Sequence, residues 1–435
     1  MDPPRRSEVW PRAVTLVVVT MAALLTLSAS IERSPQGYRA TGKIAAATWP
    51  YLPGSMIPVR VDGFSVPYHV AISGAGSLRD GGVYVVPDAA APGAATLIAG
   101  NRIGLAARTV RIGAPPSGRH PFLAVVSYDD GIVFHDAFDF SVTGVLATGG
   151  TPSDADVDPF GRLAATDTQG SAISVVSLFP WGVSHVDGVP FGDEIAIDKT
   201  SRAIFVTNRD ANGGGALTRV DADGRVSHVV TGETAEGLAI DEHRGLVYVA
   251  NVNDGTIAVI DARSMQLERR IRAIARVFSL ALSPDGKRLY AISNQSAGSP
   301  FAAPGAAIAI ALDRSTPRVV ARSADLTFPL GVALDSATRT LLVTDEALDV
   351  VDVLDSQTLR EKRRPLPTCR TPWKPSLDLE ANRLYVPCAR ANEVDVFDSS
   401  TLRRVAGAPF ATGSYPLAVA IWHARPAANG STNGR

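Results

Sequence analysis

"EGLAIDEHRGLVYVANVNDGTIAVIDARSMQLERRI" occupies residues 236–271. Three short runs in it are rich in β-branched and aromatic residues, and a fourth alternates. Turn-forming residues at 241–245, 253–255 and 261–264 separate them. This pattern predicts successive antiparallel strands joined by hairpins. Four such strands alone bury too little apolar surface to be stable, so the stretch must be one unit of something larger.

The same plan recurs along the chain. "EIAIDKTSRAIFVTNRD" starts at Glu194, "SLALSPDGKRLYAISNQ" at Ser279, "GVALDSATRTLLVTDEA" at Gly331 and "PSLDLEANRLYVPCARA" at Pro375, with a weaker copy, "DADVDPFGRLAATDTQG", from Asp154. A further strand usually follows, with an Asp opening the next hairpin: Asp221, Asp261, Asp313, Asp355 and Asp398. Asp suits that place because its side chain accepts a hydrogen bond from an N–H two residues on. A period of roughly 40 to 50 residues with four strands each is the mark of a β-propeller. Two partial copies remain. Residues 122–148 offer three strands and lack the first, whereas "PLAVAIW" (416–422) matches a first strand alone. Together they complete a seventh blade, so a seven-bladed propeller over 122–424 is expected, closed by strand 416–422 with no open sheet edge.

The second-strand motifs "FVTN" (205–208), "YVAN" (248–251), "LVTD" (342–345) and "YVPC" (385–388) resemble the YVTN-type propeller repeat family. The resemblance implies the propeller fold and favours a secreted or surface binding protein without catalysis.

Composition agrees with an all-β chain. Glycine (38) and proline (30) are frequent among the 435 residues. The net charge of −1, without a clustered basic stripe, argues against nucleic acid as a partner. Residues 31–114 fall outside the repeat and read as a small Ig-like β-sandwich of five or six short strands. Residues 115–121 are then a linker, and 425–435 a disordered tail. At the N-terminus, Arg5, Arg6 and Arg12 precede an uncharged stretch, 13–30. Residues 1–30 thus read as a signal peptide or a membrane anchor, with the rest of the chain exported: periplasmic, at the cell surface or extracellular. The only two cysteines, Cys369 and Cys388, are expected to form a disulfide in such a compartment.

Propeller geometry says where a ligand would bind. Loops from the fourth strand to the next first strand, and from the second to the third, surround one mouth of the central channel. Immediately before or at the first strands stand Ser153-Asp154, Asp193, Glu194, Glu236, Arg276, Phe278, Phe328, Trp373, Lys374 and Tyr415. One side of the mouth is therefore expected to be acidic, with Asp193, Glu194 and Glu236, and the other aromatic and basic. Crowded carboxylates repel one another, so a cation, a cationic ligand, Arg276 or Arg209 should offset them. Binding of a protein, small molecule or glycan at this mouth is the leading expectation. The alternative is a periplasmic lactonase-like hydrolase with a Ca or Mg ion held by Glu194, Glu236, Asn208, Asn251 and Asp345. No Gly-x-Ser-x-Gly elbow and no zinc-type spacing occurs.

Overall fold

The computed structural model describes residues 43–44, 46–62, 68–79, 82–100, 105–209, 214–294, 304–312 and 316–423. The expected signal or anchor (1–30), the tail (425–435) and Asp313 lie outside them. No helix occurs among the described residues, and 36 strands do. Seven sheets of the described residues have four strands each, antiparallel throughout; six follow simple meander order, and one takes its fourth strand from the far end of the chain. We number them 1–7 from the N-terminus. This is a β-propeller built from repeated four-stranded sheets.

The innermost strand of each sheet packs on the innermost strand of the next. The cycle closes where Ser376–Asp378 meets Pro416–Trp422, and Pro416–Trp422 meets Ala155–Val157. Sheet 1 joins the two ends of the array: Pro416–Trp422 pairs antiparallel with Phe122–Ser127, followed by Gly131–Asp136 and Val142–Leu146. The middle strands read as nearly continuous apolar runs because both their faces are covered, as in Leu246–Asn251, where every residue is buried.

Two local devices hold the repeat. Asp261, Asp355 and Asp398 each turn an Oδ1 back onto the N–H groups two or three residues on: Arg263 and Ser264, Gln357 and Thr358, and Thr401. The second was not read from the sequence. Several innermost strands carry a register shift, between Gly192 and Ile195 and between Pro329 and Gly331 for example. Such a bulge leaves N–H groups without ladder partners. The Thr near the end of the second strand supplies the acceptor: Thr207 Oγ1 for Glu194 N–H at 3.0 Å and Thr344 Oγ1 for Gly331 N–H at 3.0 Å; Thr166 Oγ1 takes the Asp154 N–H at 3.0 Å just before an innermost strand without such a shift.

The N-terminal residues form eight short strands in two three-stranded sheets and one two-stranded sheet. Met56–Pro58 and Val61–Asp62 are two of these strands. This unit pairs directly with the first of the four-stranded sheets. Residues 50–56 lie along the outer edge of sheet 1: Leu52 N–H donates to Val145 O at 2.7 Å, Val145 N–H to Pro50 O at 2.9 Å and Met56 N–H to Ala147 O at 2.7 Å. Leu52 enters the core between sheets 1 and 2, and Val133, Val145 and Ala147 join the N-terminal core. The edge of sheet 1 is thereby covered, which removes a template for unwanted pairing.

Candidate functional site at the channel mouth

Besides Ser153-Asp154, six of the nine residues expected at the mouth line one small cavity of about 40 Å³: Asp193, Glu194, Glu236, Phe278, Trp373 and Lys374. Ser153, Asp154, Ser279, Leu330 and Leu417 complete it. The space holds about three water molecules. Every one of the seven sheets contributes one or two wall residues, from the start of its innermost strand or the loop before it, which is why one stretch of the repeat alignment marks them.

The two sides of the mouth are not separate. Lys374, expected on the basic side, reaches across to the carboxylates. Its Nζ lies 2.7 Å from Asp154 Oδ2 and 3.5 Å from Glu194 Oε2. Lys374 is therefore a counter-ion to Asp154 and Glu194, and neither Arg276 nor Phe328 nor Tyr415 lines the cavity. Arg276 Nε is buried without a hydrogen-bond partner. Phe328 lends its N–H to Asp345, and Tyr415 turns its ring edge-on to Tyr128. The side chain of Arg209 is outside the described ones.

The same carboxylates also stitch the ring. Asp154 Oδ2 accepts from Ile195 N–H at 3.0 Å, and Glu194 Oε2 from Leu238 N–H at 2.9 Å. Both N–H groups stand where a bulge interrupts the innermost strand. Deeper in, Asp156 Oδ2 accepts from Ile197 N–H at 2.8 Å. Burial, and the neighbouring Asp154 and Asp193 charges, push the Glu194 carboxyl up to about 7 against the pull of Lys374 and the Leu238 N–H. Burial works against the Lys374 ammonium, but Asp154 and Glu194 overcome it and hold its pKa above the usual range. The Glu194 side chain keeps 15 % of its surface and Lys374 34 %, so the trio lines an accessible floor. Trp373 Nε1 is buried and has no hydrogen-bond partner.

The five side chains considered for a divalent ion do not converge. Glu194 and Glu236 line the cavity; Asn208, Asn251 and Asp345 do not. Asn208 Oδ1 accepts from the Thr218 hydroxyl, and Asn251 Nδ2 donates to Thr231 O and Thr256 Oγ1. Asp345 caps two loops through the N–H groups of Thr327, Phe328, Ala347 and Leu348. These are turn and strand-end duties. Among the described residues, no group of three or more His, Cys, Asp or Glu is arranged to hold a metal ion. The Cys369–Cys388 disulfide is present, with Cα atoms 5.6 Å apart, and staples the loop that carries Trp373 and Lys374. Asp154 is the member of the site whose importance the sequence left unweighed; its place just before a first strand was the available signal.

No family model matches the chain, and no curated protein does. Solved structures do. A periplasmic gluconolactonase from Pseudomonas aeruginosa is 15 % identical with a TM-score of 0.57, over 70 % of this chain and 99 % of that one. A functionally unknown protein from Desulfotomaculum acetoxidans DSM 771 is 17 % identical with a TM-score of 0.57, over 70 % and 99 %. Hydrazine synthase from Kuenenia stuttgartiensis is 17 % identical with a TM-score of 0.53, over 72 % and 92 %. Proteins so different in name share this architecture, so at these identities the likeness establishes the β-propeller fold and leaves function to the site.

Proposed function

We propose that this chain is an exported seven-bladed propeller of the YVTN-repeat type, preceded by a small β-sandwich, and that it binds a small ligand or the polar end of a larger one at the channel mouth. The observation that carries the reading is the convergence of Asp154, Glu194, Glu236 and Lys374 with Phe278 and Trp373 on one cavity. Apolar walls with a few convergent polar groups are the usual makeup of a ligand site. The unmatched Trp373 indole N–H offers one donor to an occupant. The small volume suits an inserted end group better than a whole sugar ring. Export is supported by the disulfide, which oxidising compartments preserve, and by the similar periplasmic protein.

A second reading is lactone hydrolysis, favoured by one feature: a carboxyl pushed up to about 7 beside an ammonium. Such a group takes and returns protons near neutral pH. Glu194 would accept a proton from water as its oxygen bonds to the lactone carbonyl carbon. Lys374 would face the developing oxyanion. The ring C–O bond would then break, and the departing alkoxide would take the proton that Glu194 had accepted from water, which restores the carboxylate.

One experiment separates them. Glucono-δ-lactone and its open acid are titrated calorimetrically into the purified protein, and ring opening is followed by alkali uptake. Binding without turnover, abolished in Glu236→Gln, supports the first reading. Opening above the spontaneous rate, lost in Glu194→Gln, supports the second. Neither binding nor turnover with these probes removes the lactone reading and turns the search for a mouth ligand to amines. Seven-blade closure has its own test: deletion of 415–435 should leave an aggregating chain, deletion of 425–435 a soluble one, and a soluble cooperative 1–414 would sink it.

A further inference from the structure

A larger cavity than the one at the channel mouth lies beside it. It is a cleft of about 720 Å³ between the N-terminal unit and the rim of sheets 1 and 2. Its propeller wall comes from the loops 128–131, 147–151 and 167–170, which flank the channel mouth on the same face. Its other wall comes from residues 43–62 and Arg108. Ligand clefts of this size form preferentially between domains.

The geometry points to this cleft as a binding site for a neutral, polyhydroxylated ligand, a short glycan segment. Three observations carry the assignment. First, charges of both signs face the gap, with the cations on one wall and most of the carboxylates on the other. Lys43, Arg60 and Arg108 line the N-terminal wall, while Asp129, Asp130 and Asp167 line the propeller wall. Asp62 adds a carboxylate to the basic side. Polyanions and polycations each meet a repelling wall, whereas a vicinal diol donates to a carboxylate and accepts from a guanidinium. Second, a buried hydroxyl lines the cleft unmatched. Thr148 is 7 % exposed and its Oγ1 has no hydrogen-bond partner. A buried polar group left so is costly, and a ligand hydroxyl would satisfy it. Third, the floor is kept bare and its carboxylate fixed. A Cβ on Gly150 would stand 2.2 Å from Asp167 Oδ2, and one on Gly170 2.1 Å from it. Asp167 Oδ1 is held by the N–H groups of Thr151 and Gln169 at 3.1 Å each. Gln169 Nε2 in turn donates to the Tyr128 hydroxyl at 2.8 Å, orienting a planar amide and an aromatic ring at the rim. The volume accommodates about three or four sugar rings, at roughly the drug-sized end of the pocket range.

The test uses the whole exported protein and four neutral tetrasaccharides: cello-, malto-, manno- and chitotetraose. Calorimetry should find one that binds. Its dissociation constant should rise tenfold or more in the exposed double variant Asp129→Asn/Arg60→Gln. Thr148→Val, which keeps the shape and removes only the hydroxyl, should weaken it about fivefold. Glu236→Gln at the channel mouth should leave it within twofold. The inference is overturned if none of the four binds at millimolar concentration. It is equally overturned if binding survives both cleft variants, if Glu236→Gln abolishes it, or if the cleft binds heparin fragments or a zwitterionic dipeptide in preference to neutral sugar.

Discussion

Sheets 6 and 7 place an aspartate at the same register of their third strand and treat it in opposite ways. In sheet 7, Asp395 on Glu393–Asp398 is fully buried. Arg404 clamps it, Nε to Oδ1 at 2.8 Å and Nη2 to Oδ2 at 2.6 Å, and the Thr368 hydroxyl adds a bond of 3.0 Å. In sheet 6, Asp352 on Val350–Asp355 is 9 % exposed, and its Oδ2 has no partner. The place that Arg404 takes opposite Phe397 is held by Glu361 opposite Leu354. Burial, Asp345 and Glu361 together push Asp352 up to about 7. The repeat thus sets where a carboxylate stands, and one residue on the neighbouring strand sets whether it is an ion. The channel mouth is a third case, in which the cation comes from across the ring.

These contrasts can be broken one at a time. Lys374→Ala should cost most, about 3 kcal/mol, because it strands Asp154 and Glu194 together. Urea unfolding measures it, and a loss below about 1 kcal/mol would show that Lys374 is no counter-ion. Arg404→Ala should cost about 2 kcal/mol, less because 45 % of the Arg404 side chain is in water.

Asp352→Asn should do the reverse and stabilise, and its pH dependence carries the sign. A carboxyl raised to about 7 in the folded chain holds a proton that the unfolded chain releases near its ordinary value of 3.8. Stability therefore falls as pH rises between those values and is level above them. The amide removes that fall, so Asp352→Asn should gain about 1 kcal/mol at pH 8 and little at pH 4. Glu194 contributes with the same sign in the same window, and Tm profiles of Asp352→Asn, Glu194→Gln and the double variant apportion the slope. A profile unchanged in both single variants would contradict the two raised carboxyls. Smallest is Glu361→Arg, which copies the sheet 7 clamp into sheet 6. It should gain a few tenths of a kcal/mol, more at pH 8 than at pH 5. A destabilised variant at pH 8 would mean that the two edges are not equivalent.

The four-strand period, the Asp turns and the Cys369–Cys388 bridge were legible in the sequence because each depends on residues close along the chain or on a column that recurs. The closing strand 416–422 was legible for the same reason, as a lone copy of a first strand. The column before the first strands also marked Asp193, Glu194, Glu236, Phe278, Trp373 and Lys374, since in a ring the same column always faces the channel. Tertiary structure alone decided the rest. A column gives height and face but not how far a side chain reaches, so Arg276, Phe328 and Tyr415 were expected at a cavity they do not line. The Lys374–Asp154 pair spans 220 residues, and the Thr hydroxyls matter only once the bulges exist. The cover over sheet 1 depends on a second unit docking beside it. Such contacts act over about 3 Å, and no separation along the chain foretells them.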